Sequence, residues 1–144
     1  MTYRITGLDP ALAAAPGARL ISVTAKPGFP CRTTLEDAEP GERVWLFSHL
    51  SNDTAGPFRA RFAVYIRETA AAPAVYRDAL PPVFATRTIS LRGFDAAGDL
   101  RAAELAEGDA TDPAIRAMLD RPEIAFINAH NAAAGCFAAK IVRD

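Results

Sequence analysis

The stretch "FRARFAVYIRE", Phe58 to Glu68, alternates in character from one residue to the next. Phe58, Ala60, Phe62, Val64 and Ile66 fall on one face, and Arg59, Arg61, Tyr65 and Arg67 on the other. A period of two with one apolar face predicts a half-buried strand. "RVWLFSHL", Arg43 to Leu50, is apolar on both faces, as a central buried strand would be. "ARLISVTA", Ala18 to Ala25, and "FATRTISLRGFD", Phe84 to Asp95, are strands by their β-branched content. "IAFINAH", Ile124 to His130, and "CFAAKIV", Cys136 to Val142, complete the set.

Helical spacing is rarer. In "DATDPAIRAMLDRPE", Asp109 to Glu123, the residues Ile115, Met118 and Leu119 form a stripe. Thr111 or Asp112 is placed to cap it, Pro113 suits the first turn and Pro122 lies just past the end, which predicts a helix over about residues 112–120. "LDPALAAA", Leu8 to Ala15, predicts one or two turns capped by Asp9. A helical turn is expected around Ala74 to Leu80, and another over "LEDA" after Thr34. Gaps between strands are too short for parallel crossovers, which need a dozen or more residues. The expected fold is α+β, a single domain over residues 1–144 with a curved, mainly antiparallel sheet, one main helix and short helical turns.

The last two strands should form a hairpin through the five-residue loop "NAAAG", in which Gly135 supplies positive φ. In the symmetric register His130 faces Cys136, Asn128 faces Ala138 and Phe126 faces Lys140. Directly opposed residues share a face with Cβ atoms about 5 Å apart. That would bring an imidazole and a thiol together at the mouth of the hairpin.

Composition narrows the function classes. Half of the 144 residues are hydrophobic and 23% are charged, with a formal net charge of −1. No basic cluster suggests nucleic-acid binding, and no apolar run approaches the roughly 20 residues of a membrane span. The first residues lack the basic and apolar regions of a secretory signal, so a cytoplasmic location is the expectation. Cys31 and Cys136 are the two cysteines. A structural disulfide is not expected in that compartment, and CxxC spacing is absent.

The candidates for chemistry lie in two places. "GFPCR" puts Cys31 beside Arg32 in a loop stiffened by Pro27 and Pro30, where the guanidinium charge would favour a thiolate. Free cysteines are more often simply buried. Arg87 shares a strand face with Ala85, Ile89 and Leu91, so it either snorkels at a sheet edge or anchors an anion in a pocket. His49 reads as a strand-end residue, and Asp37 and Glu39 as turn acids.

Several segments are similar to a bacterial family catalogued as a domain of unknown function, number 1203. They are "YRITGLDP" at Tyr3, "KPGFPCRTTLEDAEPGERV" at Lys26, "PFRARFAVYIRE" at Pro57, "RTISLRGFDAAG" at Arg87 and "INAHNAAAGCFAAKI" at Ile127. That family often has a histidine two residues before the position of His130, where this chain has Asn128. The resemblance implies a fold-sized unit and two motifs, with no activity attached.

Three functional readings follow. The first is a small-molecule or catalytic site in which the GFPCR loop meets the C-terminal hairpin. Cys31, His130 and Cys136 would be its chemical groups, and Arg32, Arg87, Asn128 and Asn131 would bind the ligand. The second is a non-catalytic anion-binding or regulatory module using Arg87 and Arg92. The third, a zinc site, would require Cys31, His49, His130 and Cys136 to converge; the residues name no metal or other cofactor. A homodimer is the base-rate expectation for assembly.

Overall fold

The computed structural model describes residues 1–144. Its strands are β1 (Tyr3–Thr6), β2 (Arg19–Ser22), β3 (Arg43–Asn52), β4 (Ala60–Arg67), β5 (Val75–Arg77), β6 (Ile89–Phe94), β7 (Leu100–Ala106), β8 (Phe126–Asn131) and β9 (Phe137–Arg143). The helices are α1 (Pro82–Ala85) and α2 (Thr111–Leu119). All ladders are antiparallel, and the class is α+β. The strands divide into a six-stranded sheet, ordered β5-β1-β9-β8-β6-β7, and a three-stranded sheet, ordered β2-β3-β4. No helix is long and apolar enough to cross a membrane.

The large sheet has two dissimilar faces. Tyr3, Ile5, Ile89, Leu91, Ile127, Ala129 and Ile141 pack with α2 residues Ile115, Met118 and Leu119 in the main core. Gly93 lets the helix come close: a Cβ there would lie 2.9 Å from both Ile124 and Met118. Tyr3 ties the first strand to the helix by donating its hydroxyl to Asp112 at 2.6 Å, while Arg116 binds Asp112 and lies over the Tyr3 ring. Burial and the Asp112 contact push the Tyr3 phenol above its ordinary value. The opposite face meets the small sheet, where Phe137 joins Phe47, Val64 and Ile66.

The segment Phe29–Ala38 stitches the sheets together. Arg32 N donates to Tyr65 O on β4 at 2.8 Å, Leu8 N donates to Arg32 O at 2.7 Å, and Ala74 N donates to Thr33 O at 2.9 Å. Its expected helical turn does not form: Leu35 has φ of 57°, and Thr34 N donates to the Cys31 sulfur. Gly7 is what allows this close crossing, since a Cβ would stand 2.0 Å from Thr33 O.

Other expectations are corrected by tertiary pairing. Residues 75–77 form an edge strand on β1 rather than a helical turn, and the turn comes later, at α1. Phe84 and Ala85 therefore end a helix, and the strand expected from Phe84 begins at Ile89. The helix expected over residues 112–120 runs from Thr111 to Leu119, entered through a 3-10 turn without a side-chain cap, and Asp112 binds Tyr3 instead. The Asp9 cap is present on a 3-10 turn at Pro10–Ala14, its Oδ1 accepting from Ala11 N at 2.9 Å.

Two outcomes follow for stability. Because β9 lies between β1 and β8, a chain truncated after Asn131 loses an inner strand and should be unfolded by circular dichroism; a cooperative melt would show the strand to be dispensable. Gly7→Ala forces backbone apart and should lower stability by about 2–3 kcal/mol in urea unfolding, the cost of severe overpacking.

Candidate functional site

The GFPCR loop and the C-terminal hairpin do meet, but through Arg32. Cys31 forms an isolated bridge with Tyr65, and Arg32 opens the turn that follows it. Cys31 turns into the small-sheet core, fully buried, and its sulfur accepts from Thr34 N at 3.4 Å and Arg67 N at 3.3 Å. Arg32 turns the other way, toward the hairpin. It is only 1% exposed, and its one side-chain hydrogen bond is from Nη2 to Cys136 Sγ at 3.7 Å. Nε and Nη1 are buried without a partner. Burial pulls the guanidinium below its ordinary value and Cys136 opposes that, yet arginine stays charged in proteins.

Asn131 completes this group. Its Nδ2 also lies 3.7 Å from Cys136 Sγ, and its Oδ1 is buried without a partner. The half-buried thiol opens on a cavity of about 720 Å³. Its apolar wall is Leu46, Phe62, Val64 and Tyr65 from the small sheet, and Ala132–Ala134 of the hairpin loop form its rim.

The hairpin forms with a register different from the symmetric one. Asn128 pairs with Lys140 and Ala129 with Ala139, but His130 pairs with Phe137, so Ala138 is an extra residue in the ladder. The loop is closed by Asn131 N donating to Cys136 O at 2.9 Å and Gly135 N donating to Asn131 O at 2.8 Å, with Gly135 at φ 79°. His130 and Phe137 thus share one face, and Cys136 lies with Asn131 on the other. The expected pairing of His130 with Cys136 is not formed. Burying Phe137 between the sheets outweighs the symmetric loop, because a one-residue shift moves every side chain to the other face.

His130 instead enters a second, smaller cavity. It is 2% exposed, its ring lies edge-on to Phe62 with centroids 4.7 Å apart, and Nδ1 lies 2.9 Å from Gly135 O. A carbonyl only accepts, so the proton sits on Nδ1 and Nε2 keeps its lone pair. Burial, with the charges of Arg92 and Arg32, pushes the imidazole down to about 4. Asn128, 1% exposed, donates Nδ2 to Ser51 O at 3.3 Å.

The two arginines of the anion-binding reading do not converge. Arg87 lines the larger cavity and is clamped by Asp37, with Nη1–Oδ2 3.0 Å and Nη2–Oδ1 2.6 Å. Arg92 lines the smaller one. Asp37 was legible only as a turn acid, because its partner lies 50 residues away. The aromatic walls, Phe62 and Tyr65 above all, carried no signal beyond strand alternation. His49 packs on Phe137, with ring centroids 5.3 Å apart. No group of three or more His, Cys, Asp or Glu residues is placed to hold a metal ion, so the four-residue zinc arrangement is not formed.

His130 makes stability pH-dependent. Its folded value lies below the unfolded one of about 6.5, so its contribution is complete above that pH and is lost as pH falls toward about 4. The loss should reach up to about 3 kcal/mol. His130→Gln should remove that part of the slope of unfolding free energy against pH; an unchanged slope would place the titration elsewhere.

No curated protein and no solved structure matches the chain. One family model does, described as "Protein of unknown function (DUF1203)", over residues 28–143. The matched region contains the residues of both cavities, from Gly28 to Cys136. The chain therefore belongs to the DUF1203 family.

Proposed function

We propose that the chain binds a small molecule in the larger cavity and that Cys136 is its reactive group. The observation that carries this reading is the Arg32 guanidinium, buried with the Cys136 sulfur as its one hydrogen-bond partner. An unpaired buried cation costs several kcal/mol. A thiolate is a far better acceptor for it than a thiol, and only the thiolate is a strong nucleophile. The Asn131 amide adds a second donor to the same sulfur.

The cavity supports the binding half of the reading. Its volume of about 720 Å³ lies within the range of small-molecule sites. A largely apolar wall with a few polar groups at one end suits a ligand with an apolar body and a polar, electrophilic head. The head would meet Cys136 through an electron-poor double bond: Arg32 holds the charge on sulfur until the carbon–sulfur bond forms, the π bond breaks, and its electron pair takes a proton from solvent. His130 faces the other cavity and has no part in this step, so the thiol proton leaves to solvent. Cys31 serves to hold backbone N–H groups. A working thiol fits the reducing cytoplasm, where thiols persist.

Alkylation with iodoacetamide tests this, read by peptide mass spectrometry. Near neutral pH Cys136 should react at least about tenfold faster than a free cysteine thiol, while Cys31 stays unlabelled until the protein unfolds. Arg32→Met should slow Cys136 by about tenfold or more. Its melting temperature should hold or rise, since replacing a buried ionic group by an apolar one is often neutral or stabilising. Equal rates in the two proteins, or an inert Cys136, would overturn the reading.

A further inference from the structure

The smaller cavity lies across β8 from Cys136 and has a polar end of its own. Its volume is about 240 Å³, below the roughly 300–1,000 Å³ of drug-sized pockets. Arg92, Asn128 and His130 line it. The register places Arg92 opposite Asn128 and Ser90 opposite His130, so these side chains share one face. Arg92 has one side-chain hydrogen bond, from Nε to Ser90 Oγ at 3.2 Å, and no carboxylate neutralises it. Asn128 is fixed by its bond to Ser51 O, which leaves Oδ1 buried and unpartnered. Phe58, Phe62 and Phe94 supply the apolar walls. Ladder irregularities fall at Leu50/Asn52, Gly93/Phe94 and Ala129/His130, all bordering this space. Bulges of this kind re-aim side chains and concentrate beside sites.

We infer that this cavity is a second ligand site, for a small aromatic carboxylate that also carries a hydroxyl or amino donor. The planar fork of Arg92 matches a carboxylate. Asn128 Oδ1 and His130 Nε2 are acceptors, so the ligand must bring a donor to them. That requirement disfavours a fully ionised phosphate, which offers acceptors alone. Aromatic walls and the small volume limit the body to about one ring. The site does not depend on the thiol, because Cys136 lies on the opposite face of the hairpin.

The test is a titration of isotope-labelled protein with 3-hydroxybenzoate, benzoate and 3-hydroxybenzamide, followed by NMR. Saturable shifts of the His130 ring and the Asn128 side-chain amide are expected, with 3-hydroxybenzoate binding more tightly than either analogue. Arg92→Gln should weaken it about tenfold or more, the cost of a lost charged hydrogen-bond pair. Arg92→Lys should fall between, and Cys136→Ser should bind as the unaltered protein does. Three results would overturn the proposal: no saturable shift with any probe, affinity indifferent to Arg92→Gln, or shifts centred on Asn131 and Cys136. Failure of the thiol alkylation would leave this result untouched, and the converse holds.

Discussion

The two sheets share no strand; they pack directly through Phe137, and the irregular segment Phe29–Ala38 joins them by backbone hydrogen bonds. Its backbone is bonded to both. Arg32 N reaches β4 at Tyr65 O, and the Arg32 and Thr33 carbonyls reach the β1 side by accepting from Leu8 and Ala74. Side chains hold it from outside: Arg67 binds Glu36, Glu42 and Asp37 O, and Asp37 takes both nitrogens of Arg87. Buried backbone polar groups need partners. This segment finds them in two sheets at once, which makes it both connector and site wall.

The same crossing explains the placement of Arg32. The chain leaves its bridge to β4 at Cys31 and turns at Arg32, which separates the two side chains. Cys31 goes to the apolar side and acts as a small hydrophobe whose sulfur accepts from backbone N–H groups. Arg32 is then driven between the layers, where the hairpin offers it the Cys136 sulfur in place of a carboxylate. Removing water from a guanidinium in this way has a stability cost. The fold carries that cost at a position bordering its largest apolar-walled cavity, a combination typical of functional sites.

Strand β8 divides the chemistry in two. Asn128 and His130 face the small sheet, and Asn131 faces the Arg32 side, because neighbours along a strand alternate. One short motif thus serves two cavities. The aromatic content of the β3–β4 hairpin separates them: Phe62 lines both.

Much of this was legible beforehand. Alternation in Phe58–Glu68 and the doubly apolar run Arg43–Leu50 marked β4 and β3, and the stripe of Ile115, Met118 and Leu119 marked α2, because burial writes its period directly into sequence. The hairpin itself, with Gly135 at its turn, was legible for the same local reason. β1, β5 and β7 were not: two are four and three residues long, and the third, "LRAAELA", is an exposed edge strand of helix-favouring residues that only its pairing with β6 holds extended. The sequence by itself determined the fold class, the principal elements and the fact that one loop and one hairpin carry the reactive residue types. Tertiary structure alone decided the two-sheet division, the bulge at Ala138, the Asp37–Arg87 clamp and the partnership of Arg32 with Cys136. Those depend on contacts between residues tens to a hundred positions apart, where a single-residue shift in register, set by which side chain is best buried, reverses the face on which every later group appears.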